Sequence, residues 1–116
     1  MVVSRVGDTD MENTVIQKGL KLASYAALLA AAKVITVDYP PVLILDPGGA
    51  TEDVTLPAEA LSKGLMFFII NTGSVTEILV IKNDAAATVL TIAQPENGFV
   101  YCDGVTWHGF LSPGIT

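Results

Sequence analysis

From Asp46 to Phe110 the chain is a succession of short apolar runs broken by turn residues: DPGGATEDVTLP, GLMFFIINTGS, EILVIKND, ATVLTIAQPENGFVYCDG and VTWHGF. β-Branched and aromatic residues suit a pleated, half-buried surface, and clusters of Gly, Pro, Asn and Asp stop each run before it reaches helix length. Short strands at such regular spacing are the pattern of an all-β sandwich or barrel. The expected strands are residues 52–56, 65–71, 76–82, 87–93, 98–102 and 105–110. Two more are expected at 34–38 and 42–45, on either side of Pro40-Pro41, a pair that cannot sit inside a central strand. The fold class that follows is all-β, a small antiparallel β-sandwich or barrel of about six to eight short strands.

The punctuation sharpens this reading. Asp46-Pro47-Gly48-Gly49 is a turn, since Pro fixes φ and Gly permits positive φ. Thr72-Gly73-Ser74-Val75 and Asn83-Asp84-Ala85-Ala86 read as hairpin connections, each long enough for a type I turn with an extra residue. Asp103-Gly104, between two apolar runs, predicts a two-residue type I′ turn that pairs Cys102 with Val105 and Val100 with Trp107. By the period of two, Val100, Cys102, Val105 and Trp107 then share a core face, and Phe99, Tyr101, Thr106 and His108 the other. Leu65–Ile70 (LMFFII) and Ile78–Ile81 (ILVI) do not alternate, which predicts that both of their faces are covered, the second by a helix, an arm or, the favoured choice, another subunit.

The N-terminal third reads differently. Residues 1–14 are mixed and polar and read as an extended or mobile arm; residues 15–33 are rich in Ala, Leu and Lys and favour helix. Leu22, Tyr25, Ala26, Leu29 and Ala32 or Lys33 follow the i, i+3, i+4, i+7 rule, which fits a short helix with one apolar stripe, although an arm wrapping a neighbour would hold the same residues extended. The expected organisation is an N-terminal arm at 1–40 and a β-domain at 41–116. That arm is expected to reach a neighbouring subunit or a larger shell instead of folding back on its own domain.

Only 16% of the residues are charged, against about 25% in an ordinary globular domain, while 51% are apolar and the mean hydropathy is +0.54. A small domain has much surface for its volume, so such a surplus implies burial against other chains. A membrane span is excluded as the explanation, because the apolar run Leu22–Ala32 between Lys21 and Lys33 is far below the roughly 20 residues a span needs. Asp8, Asp10 and Glu12 occupy the place of a signal peptide's basic segment, so the chain is expected to stay in the cytoplasm where it is made. The net charge of −6 belongs to residues 41–116, where only Lys63 and Lys82 face eight acids. That acidity argues against a nucleic-acid partner, which requires a basic face.

Candidate chemistry is sparse. His108 is the single histidine and Cys102 the single cysteine, and the hairpin reading sends them to opposite faces, so no nucleophile and base come together. Zinc needs about four Cys or His ligands, and two candidates do not suffice. Asp46, Glu52, Asp53, Asp84 and Asp103 lie in or near turns, but at no spacing of a calcium loop, and they read as solvated turn acids. Gly48-Gly49 lacks the helix and lysine of a phosphate loop. No cofactor is expected, and the chain reads as non-enzymatic. Of the two aromatics in the last hairpin, Trp107 points inward, and Tyr101 is the candidate contact residue.

Thr55-Leu56-Pro57, Gly64, Phe67 or Phe68, Asn71-Thr72-Gly73 and Cys102-Asp103-Gly104 with Trp107 form a pattern that resembles the small β-domains of tailed-bacteriophage virion proteins, over roughly the C-terminal two-thirds of the chain. Capsid decoration (cement) proteins and tail-fibre modules both use such domains. The resemblance implies a structural protein of the virion: a homotrimer on the outside of the head, partnered by the major capsid protein and stabilising it. A tail-fibre or receptor-binding module is the alternative it implies. Residues singled out as structural or interface positions are Trp107, Asp103, Gly104, Phe67, Phe68 and Tyr101, with Tyr25 and Leu29 in the arm.

Overall fold

The computed structural model of the chain describes residues 19–112, so the arm expected at 1–14 lies outside the described residues. Among the described residues the protein is mostly β. Nine strands run β1 (Ser24–Leu28), β2 (Lys33–Val34), β3 (Val42–Asp46), β4 (Glu52–Thr55), β5 (Met66–Asn71), β6 (Ile78–Lys82), β7 (Thr88–Ala93), β8 (Asn97–Cys102) and β9 (Trp107–Ser112), with one 3-10 turn at Glu59–Leu61. They form two mixed sheets, of spatial order β1-β3-β5-β8-β9 and β2-β4-β6-β7.

The expectation of an antiparallel fold is corrected for the first six strands. Each of them leaves the sheet of its predecessor, and β1/β3, β3/β5, β2/β4 and β4/β6 all pair in parallel. Three two-strand rungs are thereby stacked. Antiparallel pairing begins with β6/β7 and continues with β5/β8 and β8/β9. The reason lies in the connections. Thr72–Val75 is an arch from one sheet to the other instead of a hairpin, held by Asn71, whose Oδ1 accepts from the Gly73 N–H at 2.8 Å and whose Nδ2 donates to the carbonyls of Glu77 at 3.0 Å and Ile92 at 2.9 Å. Turn residues fix where a strand stops, not which sheet the next one joins. Asn83–Ala86 does close the β6/β7 hairpin: Ala86 donates to the Asn83 carbonyl at 3.0 Å and takes φ +66°.

Three local expectations are also corrected. Residues 24–28 are strand, not helix, and Leu29 continues the ladder by donating to Asp46 O at 2.8 Å. Pairing with β3 supplies backbone partners that outweigh the modest helix preference of Ala and Leu. Residues 24–35 therefore fold back onto the domain, with Leu29 and Ile35 in its core. The strand expected at 34–38 is only Lys33–Val34, because the chain turns at Thr36, whose carbonyl accepts from the Tyr39 N–H at 3.2 Å.

The last hairpin has a four-residue loop, Asp103–Thr106, with Cys102 opposite Trp107. Asp103 explains the longer loop: its Oδ1 accepts from the N–H groups of both Val105 and Thr106 at 2.8 Å, while Gly104 supplies φ +98°. The slip is by two positions, so it leaves side chains on the same faces. Val100, Cys102 and Trp107 are buried as expected, and Val105 is exposed in the loop.

One hydrophobic cluster joins the inward residues of both sheets, with Leu43, Leu45, Phe67, Ile69 and Val100 from the first and Val54, Leu79, Ile81 and Ile92 from the second. Gly98 permits this closeness, since a Cβ there would press on Ile92 and Leu90. One end of the core is closed by the segment after β4. Trp107 Nε1 donates to Pro57 O at 2.9 Å, and the indole stacks on Phe67 with ring centroids 6.1 Å apart.

Candidate functional site

Within β5 burial alternates residue by residue, so the fold itself covers one face of this apolar strand and leaves the other outward. Phe67 and Ile69 are fully buried, whereas Met66 and Phe68 stand outward at 39% and 40% exposure. The register extends that outward row across the sheet. Val42, Phe68, Phe99 and Phe110 are successive cross-strand partners on β3, β5, β8 and β9. The three rings form a ladder, with centroids 4.8 Å apart for Phe68 and Phe99 and 5.8 Å for Phe99 and Phe110.

The flanking rows begin apolar and end polar, at Asn97 and Ser112 on one side and His108 on the other. Met66 and Tyr101 lie on one side, and Ala26, Ile44 and Ile70 on the other. Charge enters only at the corners, with Asp46 at the end of β3 and His108 near the start of β9. Beside the ladder is a cleft of about 230 Å³, walled by the three phenylalanines and bounded by Gly98, Asn97 and Ser112. The second sheet's outer face differs. It carries Asp53, Thr55, Val80, Lys82 and Thr91, with Lys82 Nζ 2.9 Å from Asp53 Oδ2.

The residues expected to matter separate into groups. Trp107, Phe67 and Leu29 are core, while Asp103 and Gly104 shape the β8–β9 loop. Tyr25 is half-buried against Tyr39, ring centroids 5.0 Å apart, and Lys33 Nζ lies 5.1 Å and 5.3 Å from the two ring centres. Hydrogen bonds donated by the Lys33 ammonium to Tyr39 first, and then to Tyr25, push its pKa above the usual value. Only Phe68 and Tyr101 reach the apolar outer face together. Phe99 and Phe110 complete it and were not singled out by sequence reasoning. The signal was present, since Phe99 is two residues from Tyr101 and Phe110 two from His108, but the ladder also needs the β5/β8 pairing, which no local pattern announces.

The reactive side chains are apart. Cys102 is buried, its Sγ 3.6 Å from the Glu59 carbonyl, and His108 is exposed on the other face with Nε2 2.9 Å from Asp103 Oδ2. That histidine, then the N–H groups of Thr106 and Val105, hold the Asp103 carboxyl down to about 2. Glu77 is buried under the β5–β6 arch, where the Gly49 N–H first, and also Ser74 and Asp46, lower its pKa against the opposing effect of burial. Gly73 is required beside it, because a Cβ there would lie 2.7 Å from Glu77 Oε1 and from Pro47. Among the described residues no group of three or more His, Cys, Asp or Glu side chains is placed to hold a metal ion, and no helix is long and apolar enough to cross a membrane. Comparison of the chain with protein-family models, with curated proteins and with solved structures found no match.

Proposed function

We propose that this chain is a non-enzymatic structural protein of a phage virion, its two sheets packed as a sandwich. In this reading it is a capsid decoration protein that binds the major capsid protein on the outside of the head as a homotrimer. The observation that carries the reading is the aromatic outer face of the first sheet, whose middle holds no charged residue. Such a face is built for packing, because exposed contiguous apolar surface marks association sites. The resemblance motifs support the same reading from inside the fold. Pro57 of TLP accepts the indole hydrogen bond of Trp107 of CDGxxW, and Asn71 of NTG ties the arch to β7. These residues do structural duty, as a shape-bearing domain requires.

A tail-fibre or receptor-binding module is the second reading. It is favoured by the stacked parallel rungs of β1 to β6, an arrangement that extends by repetition along one axis. A stained gel of purified particles distinguishes the two. Hundreds of copies per particle are expected of a decoration protein. A few copies would assign the chain to the tail, and its absence from particles would overturn both.

A further inference from the structure

We infer that the outer face of the first sheet is the surface through which copies of this chain pack on one another, centred on the Phe68–Phe99–Phe110 ladder. The inference rests on the homo-oligomeric part of the reading above and is independent of the virion.

Size is the first argument. Leu28, Phe110, Phe68, Met66 and Tyr101 are 71%, 57%, 40%, 39% and 36% exposed on this face. With large side chains offering on the order of 150–250 Å² each, and smaller shares from Ile44, Ile70 and Phe99, the face presents roughly 500–600 Å² of apolar area. That is the top of the range for a monomer's largest patch, about 300–600 Å², and most of the roughly 800 Å² that each partner contributes to a standard interface.

Charge selects the occupant. The protein carries −6 overall, so two copies repel wherever their acids meet, and the middle of this face is where they do not. An apolar centre needs no oppositely charged partner, and the same patch can serve on both copies of an isologous pair. A membrane is disfavoured by the same inventory, because no Lys or Arg stands on the face to meet anionic headgroups. The cleft adds a seat. An apolar cavity of about 150 Å³ holds a benzene ring, so about 230 Å³ beside the ladder accommodates an aromatic side chain of a neighbouring copy. In a trimer, three such faces turned to the axis make a triangular core, each contacting both neighbours.

Sedimentation velocity on the full chain at micromolar concentration tests the inference, with Phe110→Glu and, in case that variant fails to fold, Phe68→Ser. Val80→Glu on the second sheet's outer face is the control, and Trp107 fluorescence reports folding. The expected result is an oligomer for the wild type and Val80→Glu. A folded monomer is expected for the ladder variants, with association weakened about 30-fold or more as for a buried aromatic hot spot. A wild-type oligomer indifferent to the ladder, or equally sensitive to Val80→Glu, would overturn the assigned face while leaving the homo-oligomer intact. A wild-type dimer would keep the face and remove the trimer. A wild-type monomer would overturn both, and its flotation with neutral phosphatidylcholine vesicles would assign the face to lipid.

Discussion

Phe67 and Phe68 are neighbours in sequence on one strand, yet they belong to different regions of the molecule. Phe67 is fully buried among Trp107 and the aliphatic core; Phe68 points the opposite way, in an aromatic ladder left bare by the described residues. Among the described residues the first sheet thus has two greasy faces, one of them in the core and one bare. The second sheet's outer face instead mixes Val34 and Val80 with Thr residues and the Asp53–Lys82 pair. An apolar face without a partner costs solubility and gives no stability to the monomer, so the asymmetry points to a use outside it.

The largest effect breaks the comparison directly. Phe67→Ala is expected to cost about 3–5 kcal/mol, the range for deleting a buried aromatic. Phe68→Ala at a concentration where the protein is monomeric should cost less than about 1 kcal/mol, since a half-exposed ring forfeits little burial. Denaturant melts of both variants measure the gap. Equal losses would mean that the outer face is internally covered and that the two regions are one.

Much of this contrast was legible in the sequence, and the part that was not has physical reasons. Strand ends for β3 to β8 follow the Gly, Pro, Asn and Asp punctuation closely, because those residues act locally. Tyr25 and Leu29 were grouped on one face by a helical argument and share one in the strand too, since a spacing of four satisfies both periods. Ala26 exposes the difference: it joins them in a helix and opposes them in β1, where it is exposed. Trp107 kept its inward face for a similar reason, the register having slipped by an even number. The parallel rungs were not legible. Thr72–Val75 looks like a hairpin turn, and only the reach of Asn71 to Glu77 and Ile92 makes it an arch.

That residue gives the second test, on the inner face. Asn71→Ala removes both donors and the acceptor for Gly73, leaving buried carbonyls unpaired, and is expected to cost about 2–3 kcal/mol. Hydrogen exchange should show the arch opening together with β7. A loss confined to the arch would mean that the sheets are held by packing alone. Gly98→Ala is the next smaller effect. Its inward Cβ would press on the ends of Ile92 and Leu90, for about 1–2 kcal/mol of overpacking. A neutral result in thermal melts would mean that the inner face is looser than the outer face is bare.

The smallest effect sharpens the comparison at the corner where the outer face acquires charge. Asp103 receives hydrogen bonds from His108, Thr106 and Val105, and its carboxyl falls from 3.8 to about 2 in the folded chain. A folded-state pKa below the unfolded one means that the ionised form stabilises the fold. That contribution is complete above pH 3.8 and is lost as the pH falls from there towards 2. Asp103→Asn keeps a side-chain oxygen for the loop N–H groups but has no such titration. The melting temperature of the variant should therefore lie slightly below the wild type near neutral pH, and the difference should shrink over that acid window. Glu77 also loses its contribution as the pH falls below 4.5, but it does so in both proteins and cancels in the difference. A gap that stays constant down to pH 2 would show that the carboxylate charge does not hold this corner. The loop would then rest on its neutral hydrogen bonds, and the outer face would be free of electrostatic support from end to end.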